Sequence, residues 1–190
     1  DFHKFGSFQD AIINPLKARA SLLYQKRILW LTILVFMNVF SGAAISGFEN
    51  IIQSMTSLLF FLPLLIGSGG NAGSQSATLM IRSLAVGDVE MKDWIRLLGK
   101  EVLVSFLLGI TMAAGVSLIA GLRSPEIIPV VAMTMILTVM AGSLIGLTVP
   151  FIFTKLKIDP ATASAPLITS IADIMGVLIY FSIAALIFGL

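Results

Sequence analysis

The chain has 190 residues, of which 57% are hydrophobic and only 12% are charged, and its mean hydropathy is +1.02. Soluble domains hold about 45–50% apolar and about 25% charged residues, so this composition excludes a water-soluble enzyme and indicates a membrane protein. Twelve Lys and Arg against ten Asp and Glu give a net charge of +2, which is too balanced for nucleic-acid binding through a concentrated basic face. The absence of cysteine excludes disulfides and thiolate metal sites.

Five apolar stretches, separated by charges and by Gly or Pro, follow one another along the chain. Each is long enough for an α-helix to cross a hydrocarbon core, which takes about 20 residues, and each is apolar on every face, unlike the strands of a β-barrel. We therefore predict an all-α integral membrane protein with five transmembrane helices per chain. Residues 1–27 form a cytoplasmic amphipathic lead-in, and residues 28–190 form the membrane domain, with spans one to five at about 28–48, 51–81, 97–122, 127–153 and 161–190.

The basic residues indicate the orientation of the spans. Eleven of the twelve Lys and Arg lie in the lead-in or in the connections that follow spans two and four, whereas Arg123 lies in the connection after span three. Basic residues concentrate on the cytoplasmic side of membrane proteins. This predicts a multi-pass protein of the cell membrane with a cytoplasmic N-terminus and an extracytoplasmic C-terminus.

A charged segment at residues 87–98 separates spans two and three. Met91, Trp94, Ile95 and Leu98 recur on one side at helical spacing, and Asp88 is a suitable N-cap. The pattern predicts a short cytoplasmic interfacial helix.

The spans hold little that could serve catalysis. The only histidine, His3, is in the lead-in, and the Ser and Thr hydroxyls have no His or Lys placed to activate them. We therefore expect that the chain is not an enzyme.

One carboxylate, Asp173, lies deep in a span. It follows Asp159 by 14 residues, which in a continuous helix carries it about 21 Å along the axis. An ionised side chain at that depth costs at least about 2.5–3.5 kcal/mol, and the spans contain no cation that could pair with it. A protonated Asp173 hydrogen-bonded to a neighbouring helix is one interpretation; the other, which we favour, is a cation ligand beside a water-filled path.

Small and polar residues accompany this carboxylate. The face of Asp173 in span five includes Ala165, Thr169, Gly176 and Tyr180, and Pro166 frees the backbone carbonyl four residues earlier, that of Thr162. Two further stripes recur every three or four residues, in span two (Gly67, Gly70 or Asn71, Ser74, Gln75 and Thr78) and in span four (Thr134, Thr138, Gly142 and Gly146). The amides of span two favour a pore lining, whereas close helix packing is the better interpretation for span four.

The chemistry of this site points to a dimer and to a hard cation. One carboxylate per chain cannot neutralise a divalent ion, whereas a twofold-symmetric homodimer would place two Asp173 side chains around one axis. Oxygen donors without nitrogen or sulfur suit Mg²⁺ or Ca²⁺. Because Mg²⁺ sheds water reluctantly, two carboxylates with carbonyls and hydroxyls could hold it hydrated, which favours Mg²⁺ over Ca²⁺ or Mn²⁺.

Two runs of residues resemble signatures of the MgtE-type magnesium channels. They are GGNAGSQ at residues 69–75 and DPATASAPLITSIADIMG at residues 159–176. The five-span layout, the segment containing Trp94 and the Lys100-Glu101 pair are also similar, so that the resemblance covers nearly the whole chain.

The resemblance implies a homodimeric magnesium channel whose central pore is lined by spans two and five of both chains. Asp173 matches the pore carboxylate that surrounds a hydrated Mg²⁺, with Thr169 and Gly176 at flanking positions. Position 165, an amide in relatives, is alanine here, and Asp159 matches a second acid at the cytoplasmic end of span five. Family members also carry cytoplasmic N and CBS domains that bind magnesium, so we expect this chain to be the transmembrane part of a longer protein.

Two other functions remain open on the sequence alone. One is a carrier for Mg²⁺, Co²⁺ or Mn²⁺ coupled to sodium or protons. The other is a membrane scaffold that does not transport, in which the polar stripes only pack helices.

Overall fold

The structure, a computed structural model, describes residues 19–158 and 165–189, apart from the side chains of residues 26, 27, 29 and 30. Within these residues the chain is helical and contains no strand, which confirms the all-α prediction. Residues 1–18 of the predicted lead-in lie outside the described residues. The α-helices are α1 (Ala20–Ser46), α2 (Glu49–Ser54), α3 (Ser57–Val86), α4 (Trp94–Arg123), α5 (Ile128–Lys155) and α6 (Ala165–Phe188).

Four of these helices are long and apolar enough to cross a membrane. They are α3, α4, α5 and α6, which correspond to predicted spans two to five and confirm the expectation of an integral membrane protein. Predicted span one falls on α1, where the described apolar segment, Leu31–Ser46, is shorter. A fifth crossing therefore stays a prediction.

The predicted start of span two at residue 51 is wrong. A short helix, α2, occupies Glu49–Ser54, and the backbone at Met55 then turns to φ −140° and ψ 80°. This conformation interrupts the helical hydrogen-bond ladder, so that the long helix α3 begins only at Ser57. Ile51 of α2 is buried in the hydrophobic core, which anchors the short helix.

The separate interfacial helix predicted near residues 87–98 is also absent. This segment instead contains a 3₁₀ turn, Met91–Asp93, and α4 begins directly after it at Trp94. A capping box formed by Glu90 and Asp93, rather than Asp88, starts this turn. Because nothing after Asp93 breaks the helix, the predicted segment is the beginning of span three.

Helix α5 lies at the centre of the bundle. Its most extensive contacts are with α3 and α4, and it also packs on α6. Helices α3 and α1 pack on α6 as well. Buried apolar side chains of α3, α5 and α6 form the main core, which includes Phe61, Met135 and Phe181. The Tyr180 hydroxyl is buried in this core and donates a hydrogen bond to the Leu58 carbonyl oxygen at 2.9 Å.

Glycines bring the backbones of α3 and α5 into direct contact. A β-carbon added to Gly73 would lie 2.7 Å from the carbonyl oxygen of Gly142, and one added to Gly146 would overlap the carbonyl oxygen of Gly73. Gly69 and Gly142 are paired in the same way. The structure thus confirms that the span-four stripe packs helices, through a small-residue spacing on both partners.

Candidate functional site

Asp173 lies in the first half of α6, eight residues after Ala165 in a helix of 24 residues. This corresponds to about 12 Å along a helix about 36 Å long. The side chain is half-buried. Within the described part of the chain no basic side chain pairs with Asp173, and no side-chain hydrogen bond reaches its carboxylate.

Gly70 of α3 faces this carboxylate. A β-carbon added to Gly70 would lie 3.4 Å from Asp173 Oδ1 and 3.1 Å from Thr169 Cγ2. The fold therefore brings together three residues that the sequence predicts for the site, one from span two and two from span five. Because Gly70 has no side chain, nothing from α3 fills the space beside Asp173 Oδ1 at this point.

The Thr169 hydroxyl contacts the start of its own helix. It donates to the carbonyl oxygens of Ala165 at 3.1 Å and Pro166 at 2.9 Å. A hydroxyl has one proton and two lone pairs, so Thr169 Oγ1 can still accept a hydrogen bond from a water molecule, for example one in the shell of a hydrated cation.

The other residues predicted in span five occupy different surroundings. Gly176 is buried, and a β-carbon there would lie 3.5 Å from the Ile66 Cα, so that this glycine meets α3. Ala165 and Pro166 are exposed near the beginning of α6. Tyr180 belongs to the core rather than to the site. Asp159 and the carbonyl of Thr162 lie outside the described residues.

The polar stripe of α3 faces outward from the single chain. Asn71, at the middle of α3, is exposed, as are Gln75 and Thr78. The hydroxyl of Ser74 donates to the Gly70 carbonyl at 2.9 Å and that of Thr78 to the Ser74 carbonyl at 2.8 Å. A shallow groove of about 450 Å³ runs along this stripe and is lined by Ser74, Gln75, Thr78 and Leu79.

The glycine-rich run of α3 contacts two different helices, α5 and α6. The sequence prediction did not distinguish which of its glycines contacts which helix. Gly69 and Gly73 meet α5, whereas Gly70 meets α6. The sequence did contain a signal, because Gly69 and Gly73 are four residues apart, as are Gly142 and Gly146, and this spacing is typical of closely packed membrane helices.

The residues that the structure describes in one chain do not form a complete metal site. In the described ranges no three His, Asp or Glu side chains converge. Asp173 is the one acidic residue between the ends of α6. Its carboxylate, the Thr169 hydroxyl and the amides of α3 are oxygen donors suited to a hard cation.

Comparison with known proteins identifies the family. Residues 62–183 match the family model described as "MgtE: Divalent cation transporter", and these residues include Gly70, Thr169 and Asp173. The chain belongs to the MgtE family. Because this is a family of transporters, the prediction that the chain is not an enzyme is confirmed, as is the resemblance noted in the two sequence runs.

Three curated MgtE relatives, each named "Magnesium transporter MgtE", show the extent of the match. The protein from Thermus thermophilus is 37% identical over 98% of this chain and 42% of its own length. The Bacillus subtilis protein is 35% identical over 97% of the chain and 41% of its length. The Enterococcus faecalis protein is 34% identical over 91% of the chain and 38% of its length. The chain thus spans about two fifths of the length of these MgtE relatives.

Proposed function

We propose that this chain forms the membrane pore of a magnesium channel, in which two copies of Asp173 hold a hydrated Mg²⁺ on a twofold axis. The observation that carries the proposal is the half-buried carboxylate of Asp173, which has no ion-pair partner within the described residues and lies beside Gly70. The relatives named as magnesium transporters support Mg²⁺ as the transported ion.

The cost of burying charge supports a functional role for Asp173. An ionised carboxylate inside a membrane helix is expensive unless water, a cation or a hydrogen-bond donor compensates it. The described side chains offer it no such donor and no cation. A hydrated divalent cation supplies both positive charge and water protons, so it would stabilise the ionised form.

The exposed amides of α3 support a dimer. Asn71 lies at the middle of a 30-residue helix and is exposed in the single chain. Polar groups at that depth are tolerated only where protein covers them or water fills a cavity. A second copy placed against the groove beside Ser74, Gln75 and Thr78 would meet both requirements, because it would cover the stripe and enclose a hydrated path.

The hydration chemistry of the ion favours Mg²⁺. This ion keeps several of its waters, whereas Ca²⁺ usually takes six to eight direct oxygen ligands. Two carboxylates with the flanking hydroxyl of Thr169 offer few direct ligands but many acceptors for coordinated water. Pro166, Ala165 and Gly176 would border the path on α6, and Asp159 would provide a second acid at its inner end.

The proposed membrane arrangement follows the charges. A first crossing through α1 brings the number of spans to five, with the N-terminus in the cytoplasm and the C-terminus outside the cell membrane. Since the MgtE relatives are more than twice as long as this chain, we expect cytoplasmic N and CBS domains to accompany it in the full-length protein.

A flux measurement tests the role of Asp173. The parent and Asp173→Asn proteins are reconstituted into liposomes that contain a Mg²⁺-sensitive dye, with Asp88→Asn as the control, since Asp88 is exposed in a turn. We expect Asp173→Asn to lower the flux at least about tenfold, because a lost attraction of only about 1.4 kcal/mol already corresponds to a factor of ten. An Asp173→Asn protein that assembles normally and transports at the parent rate would contradict the proposal.

A cross-linking measurement tests the dimer separately. The chain has no cysteine, so that a single introduced thiol is unique. Gln75→Cys should form an intermolecular disulfide in oxidising conditions, whereas Leu186→Cys, on an exposed position of α6, should not. Equal cross-linking of both variants, or of neither, would argue against α3 lining a twofold axis.

The coupled carrier and the scaffold predict other outcomes. A channel moves Mg²⁺ without sodium or a proton gradient and reverses its current with voltage. Flux that requires sodium or protons would identify the carrier, and the absence of any Mg²⁺, Co²⁺ or Mn²⁺ flux in the parent protein would identify the scaffold.

A further inference from the structure

A second cavity lies at the end of the bundle where α4 begins and α5 ends. It encloses about 460 Å³ and shares no residue with the site around Asp173. Its lining is Met91, Trp94, Thr148, Phe151, Ile152 and Lys155. Ile152 is 46% exposed, so the groove opens toward the outside of the bundle.

The indole of Trp94 carries a hydrogen-bond donor that is shielded from water. Its Nε1 has no acceptor among the described residues. Buried donors in proteins are nearly always paired, and tryptophan at an interface normally directs its N–H to a polar partner. An acceptor supplied by a bound molecule would satisfy this donor.

Lys155 provides a positive charge at the same groove. It is exposed and forms no ion pair within the described part of the chain. The two described acids that flank the Met91 end of the groove have contacts of their own: Glu90 pairs with Lys92 at 2.7 Å, and Asp93 Oδ2 accepts the Glu90 N–H at 3.0 Å. Among the described residues, the rim therefore presents an ammonium group without an ion-pair partner above an apolar wall.

We propose that this groove binds an anionic phospholipid. The phosphate pairs with Lys155, the Trp94 side chain turns so that its indole N–H donates to the phosphate, and the acyl chain lies along Phe151 and Ile152. A molecule with an anionic head and an apolar tail matches both parts of the groove, whereas a free phosphate would leave the apolar wall unused. Basic pockets between membrane helices commonly hold anionic headgroups, and Trp and Lys side chains anchor at the level of the headgroups.

Native mass spectrometry of the intact protein tests this proposal. The protein is purified from vesicles of phosphatidylcholine with phosphatidylglycerol, and the retained phosphatidylglycerol per chain is measured. Trp94→Phe removes the N–H and keeps a ring, and Lys155→Gln removes the charge. Each variant should retain about three- to tenfold less phosphatidylglycerol, the usual consequence of losing one hydrogen bond. Lys157→Gln, at an exposed lysine outside the groove, should bind like the parent.

Several outcomes would overturn the lipid site. One is a parent protein that retains phosphatidylglycerol no better than phosphatidylcholine. Another is an equal loss in Lys157→Gln, which would indicate general attraction to a basic surface. Unchanged binding in both groove variants would also contradict it. A photo-crosslinker at Ile152 that captures another segment of the protein instead of lipid would assign the groove to that segment.

Discussion

Gly70 of α3 lies directly against the Asp173 carboxylate of α6, since a β-carbon at position 70 would come within 3.4 Å of Oδ1. The same β-carbon would lie 3.1 Å from Thr169 Cγ2, a spacing that requires one of the groups to move. Position 70 therefore controls the space beside both side chains proposed to face the ion.

Gly70→Ala should reduce Mg²⁺ flux several-fold. The added methyl group pushes Thr169 by a few tenths of an ångström and fills the space beside Asp173 Oδ1, and small displacements of positioned groups weaken their action steeply. Flux into dye-loaded liposomes measures the effect. Gly115→Ala on α4 is the matched control, because a β-carbon there meets nothing within 4 Å. Parent-like flux in both variants would remove position 70 from the site.

Gly142→Ala should destabilise the bundle. Alanine favours a helix interior over glycine by up to about 1 kcal/mol, but the new methyl group would overlap the Gly69 carbonyl oxygen. Backbone cannot move aside as a flexible side chain can, and overpacking of this kind costs about 1–3 kcal/mol. Gly115→Ala, in open space on α4, serves as the control. Thermal unfolding in detergent compares the two, and a Gly142→Ala protein as stable as Gly115→Ala would disprove the backbone contact.

Tyr180→Phe should lower stability by about 1 kcal/mol and leave Mg²⁺ selectivity unchanged. The substitution removes the hydrogen bond to the Leu58 carbonyl, and a typical buried hydrogen bond contributes about that much. The control is Tyr24→Phe, whose tyrosine is 63% exposed. Unfolding midpoints and competition between Mg²⁺ and Ca²⁺ are measured together. A change in ion preference without loss of stability would place Tyr180 in the ion path after all.

The pairing of Arg123 with Phe60 should be measurable by a double-mutant cycle. The guanidinium carbon lies 4.1 Å from the ring centroid, and cation–π contacts at exposed sites contribute about 0.5–1 kcal/mol. We expect Arg123→Gln and Phe60→Leu to be less than additive in the free energy of unfolding by that amount. Additive effects would show that the contact has no energetic role.

Much of the fold follows from apolar length and charge placement. Spans three, four and five are recovered within a few residues among the described parts of α4, α5 and α6. The errors occur where local backbone geometry decides, at Met55 and at the Glu90 capping box. Neither position is Gly or Pro. The residue types therefore do not reveal that the helix breaks before α3, nor that α4 begins directly after the turn that Glu90 caps.

The groove beside Trp94 and Lys155 could not be predicted. These two residues are separated by 61 positions in the sequence, and they line one cavity only because α4 and α5 pack against each other. The helical spacing of Trp94 with Met91, Ile95 and Leu98 indicated that Trp94 lies at the membrane interface. It did not indicate which residues would lie beside the indole.

The sequence by itself determined that the chain is a helical membrane protein with one carboxylate, Asp173, deep in an apolar span, because hydropathy and the helical rise of about 1.5 Å per residue depend only on residue order. Only the tertiary structure decided which residues of the glycine-rich run in α3 contact α5 and which contact α6. Gly69 and Gly73 allow α5 to approach, whereas Gly70, one residue on from Gly69, faces Asp173. Successive helical positions differ by about 100°, so neighbouring glycines that look equivalent in sequence serve different contacts once the helices pack.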